Sequence, residues 1–106
     1  MQKITLNDFK SLVLDSSRPV LLEFTGAFCP GCVQMAVVLN ELEGEFSDRV
    51  AFLEVNADQE TMLNTLLHVS TLPTTILFHH GKVLYSHRGF WPEEQLQKVL
   101  EDISAS

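Results

Sequence analysis

Two cysteines, Cys29 and Cys32, are the only thiols in a chain of 106 residues, and they lie where an apolar run gives way to small residues. The run is Val20-Leu21-Leu22-Glu23-Phe24; Thr25-Gly26-Ala27-Phe28 follows, and then Cys29-Pro30-Gly31-Cys32. The pattern predicts a buried strand feeding into a helix, with the C-x-x-C pair on the first helical turn. Cβ atoms at i and i+3 of a helix stand roughly 5–6 Å apart, and a disulfide spans Cα atoms about 4.4–6.8 Å apart, so the pair can close and reopen with little movement. The first turn also offers unpaired N–H groups and a partial positive charge, both of which favour a thiolate. Cys29, at the N-cap or first position, is nearest those donors, while Cys32 lies one turn further in and faces the core. Cys29 is therefore expected to attack, and Cys32 to resolve, in thiol–disulfide exchange. Two inert buried cysteines would be the plain alternative; a zinc site wants four ligands, and only two cysteines exist.

The elements that must hold this turn can be read in order. Asn7 is placed to cap a helix through Leu14, with Phe9, Leu12 and Val13 on its apolar face. After a turn at Asp15–Pro19 and the strand Val20–Phe24, a helix from about Pro30 to Phe46 turns Met35, Ala36, Val38, Leu39, Leu42 and Phe46 inward. Val50–Val55 reads as a second buried strand. Asn56-Ala57-Asp58 leads into a helix whose Met62, Leu63, Leu66 and Leu67 form a core stripe. Pro73, at the start of the strand ending at Phe78, suits a cis peptide or an edge position. Phe78-His79-His80-Gly81-Lys82-Val83 is a hairpin turning at Gly81, with a second arm to about Arg88. Pro92 is expected as the first residue of a last helix striped by Leu96, Val99, Leu100 and Ile103. With a short initial strand at Lys3–Thr5, the order predicts an α/β domain over residues 1–106: a central mixed sheet with helices on both faces.

The bulk properties narrow the function. The chain is 45% hydrophobic and 20% charged, ordinary for a soluble domain, and its net charge of −7 disfavours nucleic acid or an anionic membrane as partner. No apolar run reaches transmembrane length and Met1–Asp8 holds no apolar leader core, so a cytoplasmic protein is expected. No Gly-rich dinucleotide fingerprint is present; no cofactor is expected, and electrons must come from an external reductase. His79, His80 and His87 suggest a metal cluster at first sight. Adjacent strand residues point to opposite faces, however, which favours a polar hairpin surface.

Taken together, these motifs resemble the thioredoxin family over nearly the whole chain. The likeness rests on Leu22-Glu23-Phe24, Phe28-Cys29-Pro30-Gly31-Cys32, Asn56-Ala57-Asp58, Leu72-Pro73-Thr74, and Phe78-His79-His80-Gly81 followed by Gly89, with the spacing from Cys32 to Pro73 and Gly89 that the family shows. It implies the thioredoxin fold, a cis Pro73 packed against the sulfurs, and disulfide-containing protein substrates. A substrate peptide would lie across Phe28, Pro30, Gly31, Leu72, Pro73, Gly89 and Phe90, pairing with the Leu72 backbone as an added strand. The chain also departs from the family. Phe28 replaces the tryptophan before the first cysteine, Pro30-Gly31 reverses the usual dipeptide, Glu23 replaces the buried aspartate, and Glu54 aligns with the lysine beside it. Relatives with Cys-Pro-x-Cys tend to be more oxidising.

Glu23 interrupts a buried strand. Read through the resemblance, it is a general base that takes the Cys32 proton through a water, with burial and Glu54 raising its pKa; otherwise it reaches solvent at the strand edge. Arg88, just before Gly89, is either a cation facing the cysteines or a solvated strand-end residue. The leading function is a thiol–disulfide oxidoreductase acting on protein disulfides. One alternative is a glutaredoxin-like, glutathione-dependent reductase, although no lysine or arginine stands among Thr25, Gly26 and Ala27 to hold a glutathione carboxylate. The other is a thioredoxin-fold assembly module that binds without turnover.

Overall fold

The computed structural model describes residues 1–105. Its elements are β1 (Gln2–Lys3), α1 (Leu6–Phe9) continuing into a π-helical turn (Lys10–Leu14), β2 (Val20–Thr25), α2 (Pro30–Phe46), β3 (Ala51–Asn56), α3 (Thr61–Leu66), β4 (Thr74–His79), β5 (Lys82–Arg88) and α4 (Glu93–Ser104). The five strands form one mixed sheet in the order β1-β3-β2-β4-β5. β1, β3 and β2 run parallel, and β4 pairs antiparallel with both β2 and β5. This is the expected α/β architecture.

Strand alternation divides the apolar side chains into two cores. On one face Leu21, Phe52 and Leu77 pack beneath α2 and α4, against Met35, Leu39, Leu42 and Leu96. On the other, Leu22, Leu53, Val55, Ile76 and Phe78 pack against Phe9, Val13 and Leu63. β2 is covered on both sides, which is why its sequence is a nearly unbroken apolar run.

Several local details differ from the sequence reading. Thr5 rather than Asn7 caps the first helix, its N–H donating to Asp8 Oδ2 at 3.0 Å. That helix then widens: the Asp15 N–H bonds the Lys10 carbonyl five residues back at 2.9 Å. Ala36 is exposed. Of the α3 stripe only Leu63 is buried, with Met62 68% and Leu66 56% exposed, because a helix of under two turns turns little of its surface inward. Pro92 caps α4 instead of opening it, its ψ of 139° being extended. The β4–β5 hairpin closes with two residues of positive φ, His80 at 55° and Gly81 at 75°, the pattern of a type I′ turn. His80 thus belongs to the turn and not the strand, and its ring stacks on His79 at 3.8 Å instead of pointing away.

Candidate active site

At the N-terminus of α2, Cys29 takes the N-cap position in an extended conformation, with φ −126° and ψ 95°. Its sulfur accepts the Cys32 N–H at 3.2 Å, and its carbonyl accepts the N–H groups of Cys32 at 3.0 Å and Val33 at 3.3 Å. A sulfur thus performs the capping that a Ser or Asp oxygen usually performs, and it lies where orphan helix donors point. Cys29 and Cys32 are joined as a disulfide with Cα atoms 5.2 Å apart. Cys29 is half-buried and Cys32 is 6% exposed, which separates an accessible sulfur from a shielded one. Pro30 occupies the first helical position, where a missing N–H costs nothing.

The surrounding loops are fitted closely. The Leu72–Pro73 peptide is cis, as expected. A Cβ on Gly31 would stand 3.1 Å from Pro73 Cδ, so the proline ring lies directly against the turn between the cysteines. A Cβ on Gly26 would come within 2.8 Å of Leu72 Cδ1 and 3.1 Å of Asp58 Oδ1, so these two side chains pack closely over the loop before Cys29 and would have to shift for any larger residue. The Pro73 carbonyl accepts the Gly89 N–H at 2.7 Å, and Gly89 holds a φ of 82°. Phe28 is completely exposed, and Phe90, following Gly89, is 42% exposed. Phe28, Pro30, Gly31, Leu72, Pro73, Gly89 and Phe90 thus converge on the end of the sheet that carries Cys29. Arg88 does not group with the cysteines: it lines a hollow with Leu66, Leu67, His68 and Ile76, on the face of the sheet away from α2.

Glu23 lies inside the protein, 3% exposed. On β2 it is one pleat beyond Leu21, which packs under Met35; on α2, Cys32 is one turn before Met35. Strand and helix therefore bring Glu23 and Cys32 to the same end of the same layer. Register continues the row across the whole sheet, from Lys3 to Glu54, Glu23, Thr75 and His87. Thr75 Oγ1 donates to Glu23 Oε1 at 2.5 Å, while Glu23 Oε2 is buried with no partner among the described residues. Burial raises the Glu23 carboxyl from 4.5 to about 8; the Thr75 hydrogen bond opposes that rise, and the Glu54 charge adds to it.

Sequence reasoning missed three supporting residues. Thr75 is a hydroxyl within an apolar strand, a signal equal in kind to that of Glu23, but only the register shows that the two meet. Asp58 Oδ2 accepts the Ala27 N–H at 2.8 Å and so pins the loop before Cys29. His87 stacks on Trp91 at 4.5 Å and contacts the Phe90 carbonyl at 3.1 Å, which ties the Gly89–Phe90 segment to β5.

A family model described as thioredoxin matches residues 1–102. A thioredoxin of Haemophilus influenzae is 35% identical over 93 residues, covering 88% of this chain and 87% of that protein. One from Alicyclobacillus acidocaldarius is 32% identical over 90 residues, covering 85% and 86%. Thioredoxin Y2, a chloroplastic protein of Arabidopsis thaliana, is 32% identical over 101 residues; these cover 95% of this chain and 60% of the plant protein. Among solved structures, chloroplastic thioredoxin z superposes with a TM-score of 0.89 at 21% identity, covering 100% of this chain and 96% of that one.

Proposed function

The chain belongs to the thioredoxin family and is a protein thiol–disulfide oxidoreductase, and on that footing we propose the part each residue plays. Reduced Cys29 attacks a disulfide of a protein substrate, forming a mixed disulfide and expelling one substrate thiolate. Cys32 then attacks the Cys29 sulfur; the Cys29–Cys32 bond forms, the mixed disulfide breaks, and the second substrate thiolate leaves. Glu23 takes the Cys32 proton through a bridging water as that attack begins. A reductase returns two electrons to reopen the disulfide. The glutathione-dependent and non-turnover alternatives are not favoured by the relatives.

The observation that carries this assignment is the contrast between a half-buried, helix-capping Cys29 and a shielded Cys32. Substrate is received by Phe28, Pro30, Gly31, Leu72, Pro73, Gly89 and Phe90, with the peptide laid beside the Leu72 backbone. The net charge of −7 fits protein partners better than nucleic acid or anionic membrane. We place the protein in the cytoplasm, where a reducing pool can keep returning electrons; cell fractionation tests this. The roles are tested by mixing Cys32→Ser and Cys29→Ser variants with a disulfide-bonded protein such as insulin. The first should accumulate a covalent adduct through Cys29, and the second should form none. Adducts through Cys32 in the second variant would reverse the assignment.

A further inference from the structure

Among the described residues the Glu23 carboxyl has a single hydrogen-bond partner, and it is an unusual one. β4 is apolar from Ile76 to Phe78, yet Thr75 is fully buried and spends its hydroxyl on one carboxyl oxygen, Oε1. The other oxygen, Oε2, has no partner among the described residues. The bond to Oε1 restrains the carboxyl and leaves Oε2 as its uncommitted oxygen. A hydroxyl can donate to a carboxylate whether or not the thiol nearby is charged, and it favours the ionised form.

We infer that Thr75 is a positioning residue for the exchange reaction: its hydroxyl anchors Glu23 Oε1, leaves Oε2 free to accept the Cys32 proton, and sets the pH range in which Glu23 can accept it. This rests on Glu23 being the proton acceptor. In the resolving step the Cys32 S–H bond breaks and its proton ends on Glu23. The Cys32 electron pair forms the Cys29–Cys32 bond, and the substrate sulfur leaves with the electron pair of the mixed disulfide. Thr75 is neither oxidised nor deprotonated.

Among the described residues, Thr75 is the one group that favours the charged form of Glu23 from close range. From β3, Glu54 opposes ionisation, and Lys3 of β1 lies one strand further away, opposite Glu54. From β5, His87 lies beyond Thr75 and is occupied with Trp91 and the Phe90 carbonyl. From α2 the inward side chains near this level are Cys32 and the apolar Met35. Removing the Thr75 hydroxyl leaves burial and Glu54 unopposed.

The test separates attack from resolution. Reduced protein mixed with dithiobis(nitrobenzoate) releases one thionitrobenzoate when Cys29 attacks and a second when Cys32 resolves, so stopped-flow absorbance reads the two steps in sequence. For Thr75→Val, the pH midpoint of the second step should rise by about one to two pH units, as expected for losing a hydrogen bond to a charged group, and that step should slow about tenfold or more near pH 7. The first step should stay within about twofold. Thr75→Ser should restore the original profile, and Thr75→Ala, compared with Thr75→Ser, gives the same answer if the valine variant fails to fold. In the oxidised protein, the carbon-13 signal of the Glu23 carboxyl should titrate higher by a similar interval in the valine or alanine variant. If Glu23→Gln alters the second step while the Thr75 variants keep the original profile, the inference about Thr75 is overturned and Glu23 keeps its role. If Glu23→Gln leaves the second step unchanged, the proton-acceptor role fails, and the inference about Thr75 with it.

Discussion

Replacing Glu23 by Gln should change how stability depends on pH. In the oxidised protein the cysteines do not titrate, so the contribution of Glu23 can be isolated. Its carboxyl ionises near 4.5 in the unfolded chain and near 8 in the folded one. Because the folded value is the higher, the native state binds more protons between those two pH values. The contribution is fully present below about pH 4.5, is lost progressively as pH rises toward 8, and is constant above. At about 1.36 kcal/mol per pH unit, the whole loss is about 5 kcal/mol, comparable with the total stability of many small domains. Gln cannot ionise and escapes that loss. It also puts an amide N–H₂ where Oε2 has no partner, a pH-independent penalty of about 1–3 kcal/mol. The two stability curves should therefore cross near pH 6, a rough figure set by that balance, with wild type more stable below and Glu23→Gln more stable above. Urea titrations of both oxidised proteins from pH 5 to 9 measure the difference directly, and other titrating groups largely cancel. A difference that stays constant across this range would refute the reasoning and make Glu23 a solvated residue.

The other expected outcomes are more local. Limiting iodoacetamide near neutral pH should label Cys29 ahead of Cys32 in the reduced protein, as peptide mass mapping would read; preferential labelling of Cys32 would contradict the geometry. Gly89→Ala meets no atom within 4 Å, so its cost is that of holding a φ of 82° with a side chain, about 1–2 kcal/mol in urea unfolding. A slower rate with protein disulfides should accompany it, because the Gly89 N–H holds the Pro73 carbonyl. Equilibrium with glutathione buffers should give a reduction potential less negative than the roughly −270 mV of thioredoxin, following the Cys-Pro-x-Cys sequence; a value at or below that figure would count against it.

What the sequence made legible follows the strength of each local signal. The limits of α2 came out at Pro30 and Phe46 because a proline, a cysteine pair and a long 3/4 apolar stripe agree there. The short α3 misled, since four apolar residues at helical spacing suggest a core stripe whatever the helix length, while the fold buries only Leu63. The first helix was misread at its cap because Thr5 and Asn7 are both good capping residues, and only the Asp8 contact separates them. Around the cysteines, the residues close in sequence to a motif were visible, but their long-range partners were not. Thr75 lies 52 residues from Glu23 and Asp58 lies 31 from Ala27, and no local pattern reports a pairing across such distances. Arg88 shows the converse: its neighbour Gly89 is at the site, but strand alternation sends its side chain to the other face.

Phe28 is the residue that folding alone would not choose. A large aromatic ring is left wholly in water, on a backbone with φ of 53° that side chains other than glycine and asparagine adopt only at a cost. A design procedure that optimised thermostability would replace it with glycine or asparagine at once, relieving the backbone and removing exposed apolar surface. Its place beside Cys29 fits the substrate-receiving role proposed above: an exposed ring on an unfavourable backbone, which a client surface would cover, is what a stability–activity compromise looks like. Stabilised variants of this protein should therefore be built from substitutions elsewhere, with this one unfavourable position left as it is.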